Sequence, residues 1–187
     1  EINFDNHKYF VYLINELLQE KKLLQKSKCI IYGTETSGIN LTEVLEIFKI
    51  HILGCGSALP TMRHYASSQV VEIRGKLFMI DCGEGTQMQL RRSKIRFTKI
   101  QAVFISHLHG DHFFLLIEPL SSIHMQKRTD PLTVFGPKGL DDIISIQLKH
   151  SGTILNFPLT FHIIDTENPS VIVDDEILKI NTFPLKH

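Results

Sequence analysis

The sequence predicts an α/β (α+β) fold, with sheets of short strands covered by helices. Three observations carry this. From Ile50 onward, short runs rich in β-branched and aromatic residues recur at close spacing. Segments with helical periodicity lie between several of them. The chain has 187 residues, enough for one domain with a filled core. Strands in runs with interposed helices bury their apolar faces by laying helices on sheets.

Residues 50–53, 69–73 and 77–81 are expected strands, the last two joined by the tight turn Arg74-Gly75-Lys76. Residues 84–92 are an expected helix, with Glu84 and Thr86 as its capping residues. Residues 102–106 are expected to form a strand buried on both faces. A helix is expected over 113–126, which Pro119 must end or kink. Then come a strand at 132–135, a helix at 138–150, and strands at 159–164, 171–173 and 177–182. No internal repeat or low-complexity tract interrupts the pattern.

Residues 1–48 read as a separate helix-strand-helix segment. Phe10, Leu13, Ile14, Leu17, Leu18, Leu23 and Leu24 make one apolar stripe, interrupted by Glu16, Glu20, Lys21 and Lys22. Residues 28–32 are a short strand, 33–38 a loop and 41–48 a second helix. A strand, a glycine loop and a helix can cradle a phosphate. The glycine spacing here fits neither the dinucleotide nor the P-loop pattern, so the loop reads as a turn between packed elements. The chain begins at Glu1 and stops on His187, and both ends read as cut.

Composition excludes little. Hydrophobic residues are 43% and charged residues 21%, an ordinary globular balance. Lys+Arg and Asp+Glu are both 20, which argues against holding nucleic acid by bulk charge, though not against local patches. Three scattered cysteines (Cys29, Cys55 and Cys82) fit free thiols in a reducing compartment. No apolar run is long enough to span a bilayer.

The chemistry concentrates in His107-Leu108-His109-Gly110-Asp111-His112, which follows the apolar run Ala102-Val103-Phe104-Ile105-Ser106. Histidine and aspartate are ligand types for zinc or a similar borderline ion. In a tight turn His107 and His109 project to one side, while Asp111 and His112 turn toward a second point. One loop can then serve two metals a few ångströms apart, an arrangement suited to in-line hydrolysis of phosphate esters.

This loop resembles the signature of the metallo-β-lactamase superfamily. Its surroundings resemble tRNase Z, the endonuclease that trims precursor tRNA 3′ ends. The segments that carry the likeness are Ile52-Leu53-Gly54-Cys55-Gly56-Ser57-Ala58-Leu59-Pro60-Thr61, Asp81-Cys82-Gly83-Glu84-Gly85-Thr86-Gln87, Val134-Phe135-Gly136-Pro137-Lys138-Gly139 and Phe183-Pro184-Leu185-Lys186-His187. The likeness covers about residues 49–187, the N-terminal half of the family domain.

The resemblance implies half of an αβ/βα sandwich and a zinc-dependent endoribonuclease with two Zn2+ per complete site; the alternatives are another metallo-β-lactamase-type hydrolase of a small ester, thioester or phosphodiester, and an inactive fragment with a structural or binding role. His107, His109 and His187 would hold one zinc, and Asp111 and His112 the second. The family's bridging aspartate and last histidine ligand would lie beyond His187, so the second zinc is expected to be weak or absent in this chain. Asp111 would also be catalytic, positioning the metal hydroxide and taking its proton. The leaving trailer's acid would come from a later histidine. The product would be a tRNA 3′ hydroxyl. A homodimer in the cytoplasm acting on precursor tRNA is implied, with no DNA and no membrane partner.

Asp81 resembles a family aspartate that supports the metal loop, and a plain turn residue is an equal alternative. Pro60-Thr61-Met62-Arg63-His64-Tyr65 lies where many relatives carry a loop sensing the tRNA 3′ end, and Arg63 is its candidate substrate contact. Arg91, Arg92, Lys94, Arg96 and Lys99 fit phosphate contacts and an exposed helix end equally. His7, His51, His124, His150 and His162 read as ordinary surface or core histidines. The family's glycines after the loop are replaced by Phe113-Phe114-Leu115-Leu116-Ile117-Glu118-Pro119, bulk that would narrow the cleft or shift the helix.

Overall fold

A computed structural model describes residues 48–184, apart from 58, 60, 62, 63, 176 and 177. The elements expected before residue 48, with Arg63 and His187, lie outside the described residues. The described residues up to 163 group as one compact unit, and those from 164 onward belong to another.

The first unit is built on a six-stranded sheet. Its strands are β1 (Phe48–Gly54), β2 (Ser68–Ile73), β3 (Lys76–Ile80), β4 (Ile100–Phe104), β5 (Leu132–Gly136) and β6 (Leu159–Ile163), in that spatial order. β1, β2 and β3 pair antiparallel, and β3 to β6 pair parallel. The β2–β3 turn has Arg74 at φ 48° and Gly75 at φ 76°. Two consecutive positive φ values match the right-handed twist of a two-residue hairpin, and glycine takes the second at no steric cost.

The parallel strands need crossovers, and helices supply them. α1 (Thr86–Arg92) links β3 to β4, α2 (Gly110–Phe113) and α3 (Ile117–Met125) link β4 to β5, and α4 (Leu140–His150) links β5 to β6. Register places Val70, Met79, Val103 and Val134 side by side across β2 to β5. They share one buried cluster with Leu90, Leu116, Leu120, Ile123, Leu140 and Ile144 from the helical connections. Each fully buried aliphatic side chain contributes about 1.5–3 kcal/mol, so this layer holds the sheet end that carries the loop. The neighbouring register row stacks Phe104 on Phe135 (4.8 Å between centroids) and Phe135 on His162 (5.1 Å).

Four local expectations change. Pro119 neither ends nor kinks its helix. The break falls at 114–116, and Pro119 sits in the first turn of α3, where an N–H has no intrahelical partner to lose. Thr86 does not cap α1. The cap position is Gly85 at φ 83°, and the Thr86 hydroxyl donates to the Gly83 carbonyl at 2.7 Å. Glu84 makes no cap bond either. Ser106 leaves the strand, because its N–H donates to the Asp81 carboxylate rather than to a strand neighbour. β4 itself buries Ala102 and Val103 on opposite faces, while Gln101 is exposed.

In the second unit, β7 (Ser170–Asp174) pairs antiparallel with β8 (Lys179–Thr182), with an irregularity between Val171 and Val173. Lys179 lies 3.4 Å from Asp174 across it.

Candidate metal centre

The loop grows from the C-terminal edge of the parallel strands, the edge at which α/β sheets place their sites. β4 is pinned to its neighbours to its end: Asp81 N–H donates to Phe104 O at 2.8 Å, and Ile105 N–H to Phe135 O at 2.8 Å. The chain then leaves the sheet through Ser106 and His107 and turns into α2 at Gly110. His112 O accepts the Cys82 N–H at 2.6 Å, which ties the loop to the end of β3. Gly83 makes this approach possible, since a Cβ there would collide with the Asp111 carbonyl and the Ala66 side chain.

The four donors fall into two pairs. His107 Nε2 and His109 Nδ1 are 3.1 Å apart. Asp111 Oδ2 and His112 Nε2 are 3.5 Å apart. Two ligands on a tetrahedral zinc at about 2.0–2.1 Å are separated by about 3.3–3.4 Å, so both spacings suit one ion per pair. The rings of His107 and His112 are 4.0 Å apart, which makes the two positions neighbours. Among the described residues no three such donors close on one point. Each position would therefore need donors from elsewhere to reach four, and His187 is outside the described residues. The donor chemistry fits a borderline divalent ion.

Asp81 supports the second pair. It sits at φ 56°, a left-handed conformation that aspartate tolerates better than most residues. That turns its carboxylate back under the loop, where it is 4% exposed. Oδ1 accepts the Ser106 N–H at 2.9 Å. Oδ2 accepts from His112 Nδ1 at 2.7 Å, from Ser106 Oγ at 3.1 Å and from Ser67 Oγ at 3.2 Å. His112 thereby offers Nε2 outward. Burial opposes the charged form of His112, yet the Asp81 bond and the charges of Asp81 and Asp111 outweigh it. The imidazole therefore titrates above its ordinary value. Of the two readings of Asp81, this geometry is that of a residue orienting the His112 ring, not of a plain turn.

Two supporting residues were invisible in the sequence: Ser67 and Ser106 show no motif, and only folding brings them to Asp81. The post-loop bulk is accommodated. Phe113 and Leu116 turn into the core, at 3% and 0% exposure, and the exposed Phe114 ring lies over Gly110. The basic run is exposed at the end of α1, and Arg92 donates to Tyr65 Oη at 2.7 Å. His51 pairs with Glu72 at 3.2 Å, His124 accepts the Asn156 N–H, and His162 stacks on Phe135.

The chain's similarities agree with this geometry. A family model described as anti-Pycsar protein Apyc1 matches residues 48–177. Ribonuclease Z of Bacteroides thetaiotaomicron is 50% identical over 143 residues, 76% of this chain and 45% of that protein. Ribonuclease Z of Bacteroides fragilis is 49% identical over 143 residues, 76% of this chain and 47% of that protein. The crystal structure of the short form of human tRNase Z superposes with a TM-score of 0.67 at 35% identity, covering 72% of this chain and 59% of that one. The long-form RNase Z from yeast (TM-score 0.53, 22% identity, 65% of this chain and 19% of that one) shares the fold. The chain spans about half the length of the curated relatives it matches. It belongs to the family that the Apyc1 model describes, has the metallo-β-lactamase fold, and is a homologue of ribonuclease Z.

Proposed function

We propose that residues 49–187 are the first half of a zinc-dependent endoribonuclease domain that removes the 3′ trailer from precursor tRNA. The observation that carries this is the loop itself, with two donor pairs at ligand spacing, inside a segment about half identical to ribonuclease Z. Zinc, two ions in a complete site, would supply Lewis acidity and a water of lowered pKa.

In this reading His107 and His109, joined by His187, hold the first ion. Asp111 and His112 would hold the second, and each ion would need further donors to complete its coordination. Asp111, whose carboxylate lies 3.5 Å from His112 Nε2, would also orient the attacking water and take its proton. Asp81 holds the His112 ring so that the donor atom needs no reorganisation. Arg63 contacts the tRNA 3′ end. The working protein is a cytoplasmic homodimer with no DNA and no membrane partner. Among the described residues no helix is long and apolar enough to cross a membrane.

A second reading is hydrolysis of a small ester, thioester or phosphodiester. The family model's description names an anti-Pycsar protein, not a nuclease, and this keeps that reading open. The test is cleavage of a 3′-extended precursor tRNA by the purified chain with added zinc, beside an Asp111→Ala control. Cleavage at the discriminator end that the control abolishes supports the nuclease. Zinc-dependent hydrolysis of a small phosphodiester without RNA cleavage sinks it in favour of the second reading.

A further inference from the structure

We infer that Ser106 is a positioning residue that fixes the tautomer of His107, so that one hydroxyl links the two donor pairs of the loop. The inference rests on the metal-centre reading above and gives Ser106 a role beyond its bonds to Asp81.

Asp81 is buried against four donor contacts and acts as an acceptor only. The Ser106 hydroxyl carries a single proton, and Asp81 Oδ2 takes it at 3.1 Å. The remaining lone pairs of Oγ face His107 Nδ1 at 3.0 Å. Two facing lone pairs would repel, so His107 carries its proton on Nδ1 and donates it to Ser106. Nε2 of His107 is then the lone-pair atom, and it is the atom 3.1 Å from His109 Nδ1. His112 reaches the same state directly, through its 2.7 Å bond to Asp81.

Ser106 Oγ is also 3.4 Å from His112 Nδ1, so the hydroxyl sits between one imidazole of each pair. Its main-chain N–H, bound to Asp81 Oδ1 at 2.9 Å, keeps the hydroxyl there. The carboxylate thus orients one ligand of the second pair by contact and one ligand of the first pair through Ser106. Outer partners of this kind raise ligand basicity and fix ring orientation.

The experiment is long-range proton–nitrogen NMR of the imidazoles in the metal-free, nitrogen-15-labelled chain, at about pH 8, above ordinary histidine titration. His107 and His112 are expected as Nδ1–H tautomers. In Ser106→Ala, His107 should shift toward the Nε2–H form while His112 stays. Zinc affinity, read by competition with a chromophoric chelator, should fall about 10-fold or more. Ser106→Thr and Ser106→Val have the same shape and differ in the hydroxyl, so Thr should restore both readouts and Val should not. An unchanged His107 tautomer in Ser106→Ala or in Ser106→Val, or a Thr variant that behaves as Val does, would overturn the inference. A wild-type chain that binds no zinc would instead overturn the metal-centre reading, and the tautomer result separates the two failures.

Discussion

At the start of β4, Arg128 is buried and turns its guanidinium onto main chain. It donates to the carbonyls of Thr98 (2.9 Å), Ile100 (2.7 Å), Asp130 (2.7 Å) and Pro131 (2.6 Å). At the other end of the same strand, Asp81 is equally buried, but three of the four donors to its carboxylate are side chains. The difference lies in what remains. Four of the five donors of the guanidinium are consumed by main-chain carbonyls, so that end is a clamp. Beside the Ser106 N–H, the partners of Asp81 are an imidazole and hydroxyls, and His112 keeps a second nitrogen that its anchor cannot reach. A buried polar group that ends on backbone holds a fold. One that ends on bifunctional side chains presents them to something outside.

This contrast predicts effects of different kinds. Arg128→Ala removes four charge-assisted bonds to main-chain carbonyls, the one to Ile100 fully buried, so denaturant unfolding should show a loss of about 3 kcal/mol. Any zinc affinity of the folded fraction should be unchanged. A loss below about 0.5 kcal/mol would mean that the Arg128 bonds contribute nothing net.

Asp81→Asn should do the reverse. It replaces the charged acceptor of His112 and puts an N–H where donors converge, so zinc affinity should fall about 10- to 100-fold. Cys82 gives a local readout, because its N–H bonds His112 O and burial pushes its thiol far above the usual range. Thiol labelling followed by peptide mass spectrometry should find exposed Cys55 reactive and Cys82 protected in the native chain. Asp81→Asn should speed labelling at Cys82 and not at Cys55. Equal acceleration at both would show global loosening and erase the distinction between the two ends.

The smallest effect belongs to Phe114. It is 61% exposed and covers Gly110 without entering the core. Phe114→Ala should change stability by less than about 0.5 kcal/mol in the same denaturation assay. A loss of several kcal/mol would show that the bulky segment after the loop braces it.

Much of this was legible in the sequence, for physical reasons that differ by residue. The strands could be read because β2, β3, β5 and β6 are short apolar runs ended by turn residues. The loop could be read because four ligand-type residues sit within one turn of chain. Asp81 was ambiguous, since its role depends on a φ of 56° that aspartate permits but does not announce. Arg128 and Ser106 could not be read at all. The partners that tie them to β4 and to the end of β3 are 25–30 residues away in sequence, and nothing local marks where Thr98 O, Ile100 O or the Asp81 carboxylate will lie. Pro119 misled because proline is disruptive inside a helix and harmless in its first turn, and the two cases differ by where the helix begins.

The most direct test of the central claim, that the loop presents paired metal donors, is a cobalt(II) titration of the purified chain followed by its visible absorption. The account predicts ligand-field bands that saturate and are displaced by zinc, with the intensity lost in a His107→Ala/His109→Ala double variant. A spectrum that the double variant reproduces would place any bound metal elsewhere and contradict the account.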